Sequence, residues 1–278
     1  MEVLTTIAAM RDTRRGLTGS VGLVPTMGYL HEGHISLVRA ARQENDYVFV
    51  SIFVNPTQFG PTEDFASYPR DTDRDLSLLR DAGVDYVFLP DASEIYPPGF
   101  ETVVDVGSVS SPLEGEARPG HFRGVATVVL KLLNIVQPDR AYVGEKDAQQ
   151  LAVIRRLVRD LDVPVEVVSM PTVREEDGLA MSSRNVYLTP EQRKAAPVLY
   201  EALTLAREMW IRGTRDAEAF RKRMRELIQA AEPSQIEYVS VADPLTLQEV
   251  ERIQGPALVS LAVRFGKTRL IDNITLGT

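Results

Sequence analysis

Residues 47–54 read YVFVSIFV, an apolar run broken only by Ser51. A strand exposed on one face alternates apolar and polar residues. A run without alternation belongs to a strand covered on both faces, as in a parallel sheet. The flanking segments agree. VGLVPT (21–26) is a second strand candidate, and 34–45 follows it with Ile35, Val38 and Ala41 on one helical face. Downstream come a helical pattern over 71–83, the strand DYVFL (85–89), and a helix over 123–137 with apolar residues at 125, 128, 129, 132 and 136. The strand RAYVG (140–144), a helix over 147–160 and the strand VEVVSM (165–170) complete the series. Strand–helix–strand repetition predicts a doubly wound parallel-sheet (Rossmann-like) α/β domain. In such sheets ligands bind outside the carboxyl ends of the strands.

Past TVREEDGLAMSSRN (172–185) the alternation stops. Two helical patterns, about 190–211 and 214–231, precede three strand-like runs, QIEYVSVA (235–242), ALVSLAV (257–263) and TRLIDNI (268–274). Helices followed by strands predict a smaller α+β domain with an antiparallel sheet. The expected division is 1–172 and 173–278.

Bulk properties narrow the function. The formal charge of −8 argues against a general nucleic-acid binder, which would show a basic face. No apolar run approaches 18 residues, so no membrane span is expected. The opening MEVLTTIAAMRDTRRG lacks a basic segment followed by an apolar one, the mark of a secretory signal. Without cysteine there is neither disulfide nor thiolate metal site, and a cytoplasmic protein is expected. Among the 31 basic residues only five are lysine, so each lysine carries some information.

VPTMGYLHEGHISL (24–37) holds two of the three histidines at the end of a strand candidate. A metalloprotease helix needs H-E-x-x-H, with both rings four residues apart on one face. Here the spacing is three and a glycine intervenes, so that chemistry fails. A zinc site using His121 and a carboxylate is a weaker alternative. A strand end, Gly28, Gly33 and a helix start instead suggest an anion site, where free backbone N–H groups and the helix dipole face phosphate. Gly33 would let phosphate approach, having no Cβ, and two imidazoles could donate to its oxygens. No G-x-G-x-x-G follows the first strand. GKT (266–268) is no P-loop, because Leu261 stands where its first glycine is required.

YVGEKDAQQLAV (142–153) repeats the arrangement at another strand end, with Lys146 as a point charge for phosphate and Asp147 suited to ribose hydroxyls. Either could instead be a solvated helix start with Asp147 as its cap. VNPTQFG (54–60) could present the Gln58 amide to a small polar substrate, and LAMSSRN (179–185) sets two hydroxyls and Arg184 in one loop. Taken singly, these are a turn and a linker.

Together, PTMGYLHEGH, VNPTQFG, RPGHFRGV, VGEKDAQQ and DGLAMSSRN, in this order, resemble the pantothenate synthetase (pantoate–β-alanine ligase) family over the whole chain. That family lies within the H-x-G-H nucleotidylyltransferases. H-x-G-H would fix only that superfamily; the other segments select the family. The resemblance implies a two-step reaction. ATP and (R)-pantoate give pantoyl adenylate and pyrophosphate, then β-alanine displaces AMP to form pantothenate. It further implies that Met27, Gly28, Tyr29, Leu30, His31, Glu32, Gly33 and His34 bind ATP. Gly144, Glu145, Lys146, Asp147, Val173, Met181, Ser182, Ser183 and Arg184 join them. His34, His31, Lys146 and Arg184 carry catalysis. Gln58 and Gln150 hold pantoate, and Arg118 and His121 line the pantoate/β-alanine cavity. Mg²⁺ accompanies ATP through ligands the sequence leaves unknown, and a homodimer is implied. The residues alone leave two rivals: another nucleotidylyltransferase, and a non-enzymatic ATP-binding module.

Overall fold

The expected strands assemble into two separate sheets in the computed structural model, which describes residues 1–231 and 234–277. In chain order the elements are β1 (Glu2–Leu4), α1 (Ile7–Arg15), β2 (Val21–Thr26), α2 (Glu32–Glu44), β3 (Tyr47–Ile52), α3 (Thr72–Asp81) and β4 (Tyr86–Phe88). Then come α4 (Ala92–Ile95), α5 (Glu114–Ala117), α6 (His121–Val136), β5 (Arg140–Gly144), α7 (Ala148–Asp160) and β6 (Glu166–Met170). The remainder is α8 (Pro190–Ala195), α9 (Val198–Ile211), α10 (Ala217–Gln229), β7 (Ser234–Ala242), β8 (Ala257–Phe265) and β9 (Thr268–Leu276).

The first six strands form a parallel sheet ordered β1-β4-β3-β2-β5-β6. The YVFVSI run explains the layering. Phe49 packs into a core with α6 and α7 residues such as Leu133 and Ile154, whereas Val48 and Val50 pack with Val38, Ala41 and Leu79 of α2 and α3. Alternate side chains of a strand point to opposite faces, so helices on both sides demand apolar residues at every position. The sheet winds outward in both directions from β2 and β5. These strands are adjacent but distant in sequence, which makes their carboxyl ends the switch point where a ligand crevice opens.

β7, β8 and β9 form an antiparallel sheet. One face packs on α9 and α10 through Val259, Leu261, Val263, Phe220 and Met224. The helical pattern over 190–211 is two helices, not one. Pro197 separates α8 from α9, since it has no N–H to continue the ladder. The small sheet is anchored to the parallel-sheet unit by Glu114, 5% exposed. That carboxylate takes two hydrogen bonds from Arg269 at 2.6 and 2.7 Å and one from the Tyr238 hydroxyl at 2.7 Å. Among the described residues no helix is long and apolar enough to cross a membrane.

Candidate active site

The turn after β2 is built to hold two imidazoles. Gly28 and Tyr29 both take left-handed backbone, φ 81° and 50°. A Cβ on Gly28 would also sit 3.0 Å from both Asp75 Oδ2 and Ile52 Cγ2. Asp75 of α3, 1% exposed, accepts hydrogen bonds from the Tyr29 and Leu30 amides, each 2.7 Å. Burial pushes its carboxyl pKa up. Asp75→Asn replaces one acceptor oxygen by a donor facing these amides. It should cost about 2–3 kcal/mol of stability, the scale for losing a charged buried acceptor, as read by denaturant unfolding; a change below about 0.5 kcal/mol would contradict this role.

His31 and His34 then cap α2 reciprocally. The His31 Nδ1 accepts from the Gly33 amide at 3.2 Å, and the His34 Nδ1 accepts from the His31 amide at 3.3 Å. Caps are usually Ser, Thr, Asp or Asn, so α2 starts at Glu32, two residues before the periodicity suggests. With each Nδ1 accepting, each neutral ring carries its proton on Nε2. Burial lowers His31 to a pKa of about 4, helped by Lys146, and burial lowers His34 to about 3, helped by His31 and Lys146. Both are therefore neutral donors at pH 7.

Two sequence expectations change here. The backbone N–H groups of the turn are not free for phosphate: Asp75, His31 and His34 satisfy four of them, and Thr26 Oγ1 accepts from Gly28. Gly33 is small for another reason, since a Cβ would lie 2.9 Å from the His31 ring. The imidazoles keep the expected role of donors, in the neutral form because burial removes their charge.

At the end of β5, Lys146 and Asp147 lie in a single 3₁₀ turn leading into α7. Asp147 occupies the cap position without a side-chain cap hydrogen bond, so its carboxylate is not consumed by capping. Its oxygen is 3.9 Å from the Lys146 ammonium. Of the adjacent glutamines, Gln149 is buried and structural, bonding Glu114 N, Val109 O and Pro112 O. Gln150 faces the cavity.

Gln58 is held from several sides. Its Oε1 accepts from Asn55 Nδ2 at 3.0 Å, and its carbonyl accepts from His121 Nδ1 at 2.8 Å. Arg118 Nη1 lies 3.1 Å from His121 Nε2, while its Nε and Nη2 bind Glu63 at 2.8 and 2.7 Å. Burial, then Arg118, lowers His121 to a pKa of about 4. Arg118 and His121 thus secure the Gln58 loop as well as lining the cavity.

The segment Met181–Arg184 closes the other side. Ser183 donates to the Tyr29 carbonyl at 3.2 Å, tying this loop to the histidine turn. Arg184 binds Asp64 through Nε and Nη2, both 2.9 Å, leaving Nη1 outside that pair.

Met27, His31, Gly33, His34, Gln58, Arg118, His121, Gly144, Lys146, Asp147, Gln150, Val173, Met181, Ser182, Ser183 and Arg184 line one cavity of about 230 Å³. Its deep wall is apolar, including Leu37, Phe53, Val125, Val129 and Val143. Five expected residues do not line it. Gly28, Tyr29 and Leu30 form the buttressed back of the turn. Glu32 pairs with Arg39, and Glu145 accepts from Ser169. Asp75, Asn55, Asp64 and Tyr68, whose ring lines the cavity 5.5 Å from the Arg184 guanidinium, are singled out by no motif in the sequence. Asn55, a buried polar residue directly after a strand, had the most visible signal.

A doubly wound sheet with an H-x-G-H turn at one switch-point strand and a Lys–Asp pair at the next is the arrangement of an ATP-dependent α/β ligase. The family model described as pantoate–β-alanine ligase matches residues 2–275. Pantothenate synthetases of Roseiflexus sp. (strain RS-1) and Herpetosiphon aurantiacus are each 61% identical, over 276 and 277 residues, covering 99% of this chain and 99% and 100% of theirs. The crystal structure of pantothenate synthetase from Thermus thermophilus superposes with a TM-score of 0.94 at 52% identity, covering 99% of both chains. Pantoate–β-alanine ligase from Francisella tularensis, complexed with β-γ ATP and β-alanine, gives 0.81 at 36% identity, covering 99% of this chain and 97% of that one. The chain belongs to the pantoate–β-alanine ligase family, ATP-dependent ligases of pantothenate biosynthesis.

Proposed function

We propose that the protein condenses (R)-pantoate with β-alanine through pantoyl adenylate, with the cavity residues in the following roles. MgATP is the nucleotide substrate. Among the described residues no three His, Asp or Glu side chains converge to hold a metal, in keeping with an ion that arrives on the phosphates. Met27, Gly33, Gly144, Asp147, Val173, Met181, Ser182 and Ser183 bind ATP, Asp147 taking the ribose. Gly28, Tyr29, Leu30, Glu32 and Glu145 support that site from behind. His31, His34, Lys146 and the Nη1 of Arg184 act on the phosphates.

Gln58 and Gln150 hold pantoate, whose geminal methyls suit the apolar wall. Neutral amides bind its hydroxyls without fixing its carboxylate in a salt bridge, so the carboxylate stays nucleophilic. It attacks the α-phosphorus; a C–O–P linkage forms, the Pα–O–Pβ bond breaks, and pyrophosphate leaves. Such displacement needs charge stabilisation and in-line placement more than covalent help. β-Alanine, as the free amine, then attacks the acyl carbon and AMP departs with the bonding pair. Arg118 and His121 hold Gln58 beside this reaction. Residues 1–172 form the nucleotide- and pantoate-binding unit and 173–278 the lid over it. The family resemblance supports a homodimer, and the lack of cysteine a cytoplasmic setting.

The observation that carries this reading is the meeting in one cavity of neutral imidazole donors, one weakly compensated lysine and a glutamine amide unbonded among the described residues. Product analysis tests it. One pantothenate, one AMP and one pyrophosphate per ATP are expected; ADP with inorganic phosphate would refute an adenylate.

Gln150 gives the cleaner test of the pantoate subsite, since among the described residues its amide makes no hydrogen bond. Gln150→Ala should weaken pantoate by about 1 kcal/mol, roughly fivefold, and leave ATP nearly unchanged. Gln58→Ala should cost more, because Asn55 loses a buried partner. Substrate titrations decide; equal losses for ATP and pantoate would reject the assignment.

A further inference from the structure

β9 turns two neighbouring polar residues to opposite sides of the small sheet. Asp272, 2% exposed, faces the helical side and binds Arg174 at 2.6 and 3.0 Å. Arg174 also donates to the Gly178 carbonyl at 3.0 Å, and the neighbouring Val173 carbonyl accepts from the Met181 amide at 3.0 Å. Asn273 faces the parallel-sheet unit. Its Nδ2 donates to two consecutive carbonyls, Glu145 at 3.0 Å and Lys146 at 2.8 Å. Strand alternation thus lets one dipeptide hold both the segment leading into Met181–Arg184 and the turn that carries Lys146 and Asp147.

That turn needs an outside hold. It is three residues of 3₁₀ helix with no side-chain cap, a conformation with poor hydrogen-bond geometry. The Lys146 ammonium stands at the end of four rotatable bonds, so a tilt of its peptide moves the charge. A single amide NH₂ satisfies both carbonyls; an oxygen in its place would repel them.

We propose that Asn273 is a positioning residue for adenylation. It fixes the Lys146–Asp147 peptide so that the ammonium meets the departing pyrophosphate, and through Asp272 it couples this turn to the Ser182–Arg184 loop. This rests on the ATP site proposed above. Asn273 is not among the residues lining the cavity of about 230 Å³; its effect passes through the Lys146–Asp147 turn.

Asn273→Asp, nearly isosteric, removes both donors and sets a carboxylate against two carbonyls. ATP titration, pantoate-dependent ATP–pyrophosphate exchange, pantothenate formation from supplied pantoyl adenylate and thermal unfolding should be measured on the full chain. Misplacement of this kind should slow exchange on the order of 10²-fold and raise the ATP KM about tenfold, with the β-alanine KM and the second half-reaction within about threefold of wild type. Asn273→Ser, which keeps one donor, should fall between, and carries the same test if the Asp variant does not fold. Exchange near wild type in a folded variant overturns the proposal. So does a parallel fall of both half-reactions in step with lost thermal stability, the mark of a merely structural residue. Exchange absent from the wild-type protein would instead sink the reading of the site itself.

Discussion

Lys146→Ala should slow pantoate-dependent adenylation by roughly 10²–10³-fold, the scale for losing one preorganised donor at a developing charge. Charge compensation within the cavity is what makes this lysine decisive. His31 and His34 are neutral because burial lowers them to about 4 and 3. Arg118 is paired with Glu63 at 2.7 Å and Arg184 with Asp64 at 2.9 Å. Lys146 reaches its nearest carboxylate, Asp147, only at 3.9 Å, with its side chain 22% exposed. It is the least compensated cation lining the site. During adenylation charge moves onto the oxygens around the α-phosphorus and onto pyrophosphate, and a fixed ammonium stabilises that arrangement more than the ground state. Pyrophosphate is gone when β-alanine attacks, so pantothenate formation from supplied pantoyl adenylate should suffer less. Lys146→Arg should not restore the rate, because a planar fork does not replace a compact point charge. Single-turnover measurement of each half-reaction checks this; adenylation near wild type in the alanine variant would make the lysine a surface charge.

His34→Ala should have an effect of similar size, about 10²–10³-fold on adenylation, for a different reason. The ring both caps α2 and aims an Nε2–H donor at the cavity, its Nδ1 being occupied by the His31 amide. The donor is the neutral imidazole. Its folded pKa is depressed, so kcat/KM should hold level from pH 8 to about pH 5 as far as this group decides. Activity is lost only as the pH falls toward the folded values of about 4 for His31 and about 3 for His34. Stability follows the same sign. The unfolded chain, with ordinary histidines, takes up protons first as pH drops below about 6.5, so the native state weakens from there downward through the folded values. A pH–rate profile with an apparent pKa near 6.5 that disappears in His34→Gln would show a solvated, chargeable histidine and contradict this account.

Much of the architecture was legible because burial on both faces leaves a mark in one dimension. YVFVSIFV could pack only between two helical layers, and the runs at 21–26 and 140–144 coincide with β2 and β5. The motifs that follow those strands point into the cavity because adjacent parallel strands end together. β1 leaves no such mark: its three residues pair at the sheet edge with β4, too few to show a period. The break at Pro197 leaves no mark in the pattern, because apolar periodicity continues across it. Within the site, the residues that touch the cavity were more legible than those that hold them. Asp75 and Asn273 act through backbone groups more than forty and one hundred positions away, respectively, and no local spacing announces such partners. The two glutamines at 149 and 150 look equivalent in sequence. Only the direction of α7 tells that one braces Glu114 while the other faces the cavity.

In the proposed reaction one cavity forms an adenylate from pantoate before the amine takes part. Exchange of labelled pyrophosphate into ATP, with pantoate present and β-alanine omitted, measures that step alone. Rapid exchange that depends on pantoate and falls away in Lys146→Ala is expected. No exchange with pantoate present would leave ATP bound but unused, and exchange indifferent to pantoate would assign the site to another nucleotidyl transfer; either result would contradict the proposed reaction.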